Sequence, residues 1–111
     1  MALPLTVFKT IPVDAPASST LVYKAPTGYN AIVLTAQAVN TAPVAETFSM
    51  SLVRNSTPHP LVSDYTIPVG EVLIASGGTA GKLVLQTGDE LWISGSGTDV
   101  KFTLSVLETL V

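Results

Sequence analysis

From Val100 to Glu108 the chain reads VKFTLSVLE, with Val100, Phe102, Leu104 and Val106 at every second position. A period of two puts successive side chains on opposite faces of an extended strand, one face buried and the other wet. Glu46 to Arg54 repeats the pattern, with Phe48, Met50 and Leu52 facing one way and Thr47, Ser49 and Ser51 the other. No segment repeats apolar residues at helical spacing for three turns. Such a chain folds by pairing strands and burying the apolar faces of sheets against one another.

The stretch TLVYKAPTGYNAIVLTAQAVN, Thr20 to Asn40, carries two further runs. Leu21 and Tyr23 alternate on the first, and Ile32, Leu34, Ala36 and Ala38 on the second. The break at Ala25-Pro26-Thr27-Gly28 suits a type I turn, with proline second and glycine fourth. Asn40-Thr41-Ala42-Pro43 is a turn cluster, Asn55 to Pro60 (NSTPHP) reads as a loop, and Leu61 to Ile67 as a short strand. Val72 to Ile74 is apolar, and Ser76 to Gly81 reads as a connection. Lys82 to Gln86 and Glu90 to Ser94 are strands around Thr87-Gly88-Asp89. As a hairpin, a three-residue loop places Leu83, Leu85, Leu91 and Ile93 on one face. The alternative, equally compatible with the sequence, is that the two strands lie in opposite sheets, as in a jelly roll. The count is roughly seven to nine short strands with turn signals every 8–12 residues, the pattern of an all-β sandwich, jelly-roll-like in form. Residues 1–17, held extended by Pro4, Pro12 and Pro16, read as an N-terminal arm or edge strand, and 18–111 as the sandwich domain.

Composition limits what such a sandwich does. Of 111 residues, 47% are hydrophobic and 12% charged, about half the usual charged share. Contact of the apolar surface with other subunits accounts for this. No run approaches the ~20 apolar residues of a membrane-spanning helix, and Met1 to Phe8 has no basic start like that of a signal peptide. No membrane association is therefore expected. Net charge is −3, and Lys9, Lys24, Arg54, Lys82 and Lys101 are scattered, which argues against nucleic acid as a partner. With no cysteine there are no disulfides and no thiolate metal sites.

Catalytic signals are weak. His59, the single histidine, lies between Pro58 and Pro60 with Asp64 nearby in sequence, and no serine is singled out as a nucleophile beside it. Asp89 and Glu90 are the one adjacent acidic pair, but no carboxylate spacing marks a sugar-cleaving pair or a calcium loop. Asp89 and Asp99 suit turns. Ser76 to Gly81 lacks the Lys-Ser/Thr of a phosphate-binding loop, and Asn55-Ser56-Thr57 matches the glycosylation acceptor pattern without a secretion signal. No catalytic residue, metal ligand or cofactor is assigned. Phe48 and Phe102 read as core. Phe8, Tyr29, Tyr65, Trp92, Leu110 and Val111 are the candidate interface residues. Trp92 is out of phase with Leu91 and Ile93 and so a candidate anchor, and the apolar Leu110-Val111 end reads as docked.

The "VYxAPxGxxAxV" pattern at Val22 to Val33, "LVLxxGDxL" at Leu83 to Leu91 and "LSxLE" at Leu104 to Glu108 resemble small β-sandwich structural proteins of tailed bacteriophages. The likeness covers most of the chain after residue 20. It implies a non-enzymatic virion component: a capsid decoration (cement) protein, or a tail, neck or baseplate accessory protein. The implied partners are the major capsid protein or other virion proteins and further copies of the chain, with a trimer favoured at local threefold axes. A carbohydrate- or receptor-binding sandwich using Tyr29, Tyr65 and Trp92 is the alternative from another class.

Overall fold

The structure, a computed structural model, describes residues 5–76, 81–97 and 99–111. Nine strands follow in order: β1 (Thr6–Asp14), β2 (Thr20–Lys24), β3 (Tyr29–Asn40), β4 (Glu46–Arg54), β5 (Thr57–Ile67), β6 (Val72–Ser76), β7 (Leu83–Leu85), β8 (Glu90–Gly95) and β9 (Val100–Leu110). They form two antiparallel sheets. Sheet A runs β1-β9-β3-β6, with β7 also on β3, and sheet B runs β2-β8-β4-β5. Along β3, β7 pairs with Ala31 to Val33 and β6 with Ala36 to Val39, so the two act as one interrupted strand. Apart from the β4–β5 hairpin and that interruption, each consecutive strand crosses to the other sheet. This is jelly-roll order. The two strands around Thr87-Gly88-Asp89 thus lie in opposite sheets, β7 in A and β8 in B.

The alternating runs supply the core between the sheets. Val100, Phe102, Leu104 and Val106 of β9 and Phe48 and Met50 of β4 are at most 1% exposed. Phe48 and Phe102 stack across the gap, with ring centroids 5.5 Å apart and planes at 21°. Leu85, Leu91 and Ile93 are buried, and Leu83 packs against them.

Two strands depart from strict alternation because each carries a bulge, which shifts the phase of side chains along the strand. In β3 the pairing with β9 slips between Val33 and Thr35. Ala31 and Val33 face the core before the slip, Ala36 and Ala38 after it, and Ile32 and Leu34 are partly exposed. The single apolar face Ile32-Leu34-Ala36-Ala38 is therefore split between two faces. In β2 a slip between Leu21 and Tyr23 buries Tyr23 and leaves Leu21 at 41% exposure. The turn before β3 is also displaced by one residue. Tyr29 N–H donates to Pro26 O at 3.0 Å, and Gly28, third in the turn, has φ +87°, which fits type II.

The stretch expected as a loop, Asn55 to Pro60, is mostly strand. Arg54 pairs with Thr57 across a two-residue turn, and Asn55 and Ser56 hold φ of 53° and 63°, as type I′ requires. Pro58 and Pro60 lie opposite Val53 and Ser51. Counting from the closing pair, those are non-hydrogen-bonded positions, so the proline nitrogens face the open edge of β5.

Three polar clusters pin the ends of the sandwich, and among the described residues no buried side-chain nitrogen or oxygen lacks a partner. Asn40, 1% exposed, donates its amide to Val44 O and Ile67 O at 2.9 Å and accepts from Ala42 N–H at 2.8 Å. It fastens the start of the β3–β4 loop to the end of β5. Asp89 accepts from Arg54 Nε at 2.9 Å and Nη2 at 2.5 Å, and from Gln86 N–H at 2.8 Å. This ties the β7–β8 turn to β4. Glu108 continues the inward stripe of β9, accepts from Tyr23 Oη at 2.5 Å and pairs with Lys9 Nζ at 3.1 Å, joining β9, β2 and β1.

Candidate functional site

The chemistry-bearing residues are dispersed. His59 stands exposed on β5 opposite Leu52, and Asp64, at a bulge with φ 46°, bonds to Ser49 instead. Among the described residues no group of three or more His, Asp or Glu is placed to hold a metal ion. Of the Ser76 to Gly81 connection, residues 77–80 lie outside the described residues. Ser76 Oγ donates to Gly81 O at 3.1 Å. Asn55 and Ser56 of the glycosylation pattern form the exposed β4–β5 hairpin turn.

The perturbed acid–base groups serve structure. Arg54 hydrogen bonds hold the Asp89 carboxyl below the usual carboxylate range, and burial opposes this only in part. The same partnership raises the Arg54 guanidinium. Burial, reinforced by the hydrogen bond to Glu108, raises the Tyr23 phenol well above its ordinary value, so it stays a donor. Sequence reasoning missed Glu108 as a buried carboxylate. The signal was present, since Glu108 falls two residues after Val106 on the same face.

The outer face of sheet A carries the first exposed apolar surface. Paired residues on antiparallel strands share a face. Phe8 of β1 pairs with Leu107 of β9, Leu107 with Ile32 of β3, and Ile32 with Val84 of β7. This makes one apolar row across the full sheet, with Phe8 72% and Val84 57% exposed at its ends. A second apolar group, Val39, Val72 and Ile74, lies further along the same face. Between them stand Thr10, Thr35, Thr103 and Ser105. The outward charges of these strands are Asp14 and Lys101, and they neutralise one another at 3.0 Å. Loss of net charge around exposed aromatic and aliphatic side chains is the composition of an interface centre.

Sheet B carries the second surface, a groove of about 410 Å³ lined by Ser19, Ser51, Val53, Ser56, Pro58, Glu90 and Trp92. Trp92 faces outward on β8 between Leu21 and Ser51, and its indole N–H donates to Glu90 Oε1 at 2.9 Å.

The six candidate interface residues are not one patch. Phe8 anchors the sheet A row and Trp92 the sheet B groove. Tyr65, 52% exposed, sits on edge strand β5. Tyr29 is buried at 8% exposure because it stands in phase with inward-facing Ala31 and Val33, so it supplies no exposed ring beside Tyr65 or Trp92. Leu110 and Val111 are tied down, with Leu110 N–H donating to Leu5 O and Val111 N–H to Gly28 O, both at 2.8 Å. The Val111 side chain is 77% exposed. Ile32, Val84 and Leu107 went unread as surface residues. The β3 bulge that turns Ile32 outward leaves no mark in composition.

No protein-family model matches the chain, and no curated sequence matches it. Solved structures share its fold. A protein of Bacillus endospore appendages, described as a family of disulfide-linked pili, superposes with TM-score 0.54 at 16% identity, over 99% of this chain and 93% of that one. A chain of the T13 IBDV viral particle superposes with TM-score 0.52 at 10% identity, over 96% of this chain but 31% of that one. A pentameric capsid protein from metagenomic phage sequences aligns at TM-score 0.44 and 18% identity, over 86% and 60% of the two chains. The first two likenesses establish the jelly-roll sandwich as a shared architecture. Having no cysteine, this chain cannot form the disulfide links named for the appendage family.

Proposed function

We propose that the chain is a non-enzymatic virion structural protein, and within the virion a capsid decoration protein that reinforces the shell through subunit contacts. The observation that carries this reading is the outer face of sheet A: an apolar row from Phe8 to Val84, with its two charges mutually neutralised. Seating that row on a shell subunit removes apolar area from water at roughly 25 cal/mol per Å², before association costs are subtracted. Many equivalent contacts around a shell add avidity, and no catalytic group is needed for it. The major capsid protein is the proposed partner, and three copies about a local threefold axis the proposed shell-bound arrangement. Residues 1–17 are the proposed arm toward a neighbour, although Thr6–Asp14 is in this structure paired along β9. A tail, neck or baseplate position would use the same face at lower copy number. The test is to add purified chain to particles lacking it. Saturable binding that raises the particles' melting temperature, and that Leu107→Lys or Ile32→Lys abolishes in folded protein, is the expected result. Binding unaffected by either substitution removes this face from the account.

The sheet B groove favours one other reading, carbohydrate binding. An indole held in place by Glu90 offers a stacking surface for a sugar ring, and the flanking serine hydroxyls suit its polar edge. Glycan-array binding lost on Trp92→Ala would bring that reading forward.

A further inference from the structure

We infer that in the free protein β1 pairs edge to edge with β1 of a second copy, about a twofold axis at Phe8. The inference stands whether or not the chain is a virion component, and the contact is separate from the threefold arrangement proposed on a shell.

A sheet edge is a row of unpaired donors and acceptors, and proteins blunt such edges with prolines, bulges, short strands or charge. Three of the four edges here are treated in this way. β5 turns Pro58 and Pro60 outward and bulges at Asp64. β2 has five residues and a bulge. The fourth-strand position of sheet A is divided between β6 and β7. β1 is less protected: it carries Pro12 near one end, but its nine residues pair with β9 in unbroken register.

The direction of its backbone groups follows from the two bonds that flank it. Leu5 O accepts from Leu110 N–H, and Ala15 N–H donates to Val100 O. Odd-numbered residues of β1 therefore face β9. Thr6, Phe8 and Thr10 turn both N–H and C=O to the open side, while Pro12 has no donor to offer there.

That edge is self-complementary. Antiparallel pairing with Phe8 opposite the partner copy's equivalent residue sets Thr6 against Thr10 and Thr10 against Thr6, each pair exchanging two hydrogen bonds. Lys9 falls opposite Val7 of the other copy, so no like charges meet. The apolar row Val84-Ile32-Leu107-Phe8 then continues into its symmetry mate across a joined sheet. Such an isologous contact closes at two copies. It is smaller than the roughly 800 Å² per partner of a standard interface, so pairing depends on concentration.

Sedimentation of the full chain over a concentration series tests this, with a doubling of mass expected at the upper end. Thr10→Pro removes a donor from the open edge and none from the β1–β9 ladder, and should keep the protein folded while shifting it to monomer. The chain has no native cysteine, so crosslinking is clean. Opposed hydrogen-bonded residues lie about 5.5 Å apart at Cα, within disulfide reach. With copper-phenanthroline as oxidant, Phe8→Cys should crosslink to a dimer, and Thr10→Cys, whose copies lie far apart in this register, should not. A chain monomeric at every concentration overturns the proposal. So does a dimer that Thr10→Pro leaves intact and Phe8→Cys fails to trap.

Discussion

Replacing Tyr23 with Phe removes one hydroxyl from the core-facing end of β2 and leaves the ring. In the native chain that hydroxyl donates to Glu108 at 2.5 Å, and the Glu108 side chain is 3% exposed. Lys9, 45% exposed, then remains as the charged partner of the carboxylate. A hydrogen bond to a charged group contributes about 1.5–3 kcal/mol, and that is the expected loss at pH 7. It is a sizeable part of the roughly 5–15 kcal/mol that holds a domain folded. The pH dependence separates this bond from simple packing. The Tyr23 phenol is raised in the folded state by burial and by Glu108. Its contribution is thus fully present below the unfolded value near pH 10 and is lost as pH rises toward the folded value. The limiting slope is about 1.4 kcal/mol per pH unit. Urea unfolding of both proteins from pH 7 to 11 measures the gap between them. The gap should stay constant below about pH 10 and shrink above it, and lysine titration, common to both proteins, cancels in the difference. A gap that stays constant to pH 11, or no gap at pH 7, would refute the assigned bond.

Three further substitutions probe the other two pins and the β4–β5 turn. Asp89→Asn should cost about 1–3 kcal/mol at neutral pH by breaking the paired bonds from Arg54. Because the Asp89 carboxyl is held low, native stability is retained above its unfolded value near pH 3.9 and lost as pH falls further, a limb that acid titration should find flattened in the variant. Ser56→Gly should stabilise by about 1 kcal/mol, read as a raised melting temperature, since a side chain at φ 63° is strained where glycine is not. Asn40→Ala leaves Val44 O, Ile67 O and Ala42 N–H without their partner and should cost about 2–4 kcal/mol in chemical unfolding.

What could be read from the chain depended on whether a local pattern persisted to the end of its strand. Val100 to Val106 and Phe48 to Leu52 keep one phase over their whole length, so their alternation gave both the strand and its buried face. The β3 run does not. Its bulge between Val33 and Thr35 is set by pairing with β9, a partner some seventy residues away, and only the folded register shows that Ile32 faces out while Ala36 faces in. Pro58 and Pro60 made Asn55 to Pro60 read as a loop, but the edge position that tolerates them in a strand is a property of the sheet. Sheet order also decides what is a site here. Ile32, Val84 and Leu107 are unremarkable in sequence and form a row with Phe8 only when four strands align them. Trp92 was legible as an outward residue because its neighbours Leu91 and Ile93 fix the phase of β8.

The central proposal is that this surface serves a particle. The proposed shell role is tested most directly by the copy number of the chain relative to the major capsid protein in purified particles, by quantitative mass spectrometry. A number near stoichiometric with the shell is the result predicted for a decoration protein. Its absence from the particle would contradict the account.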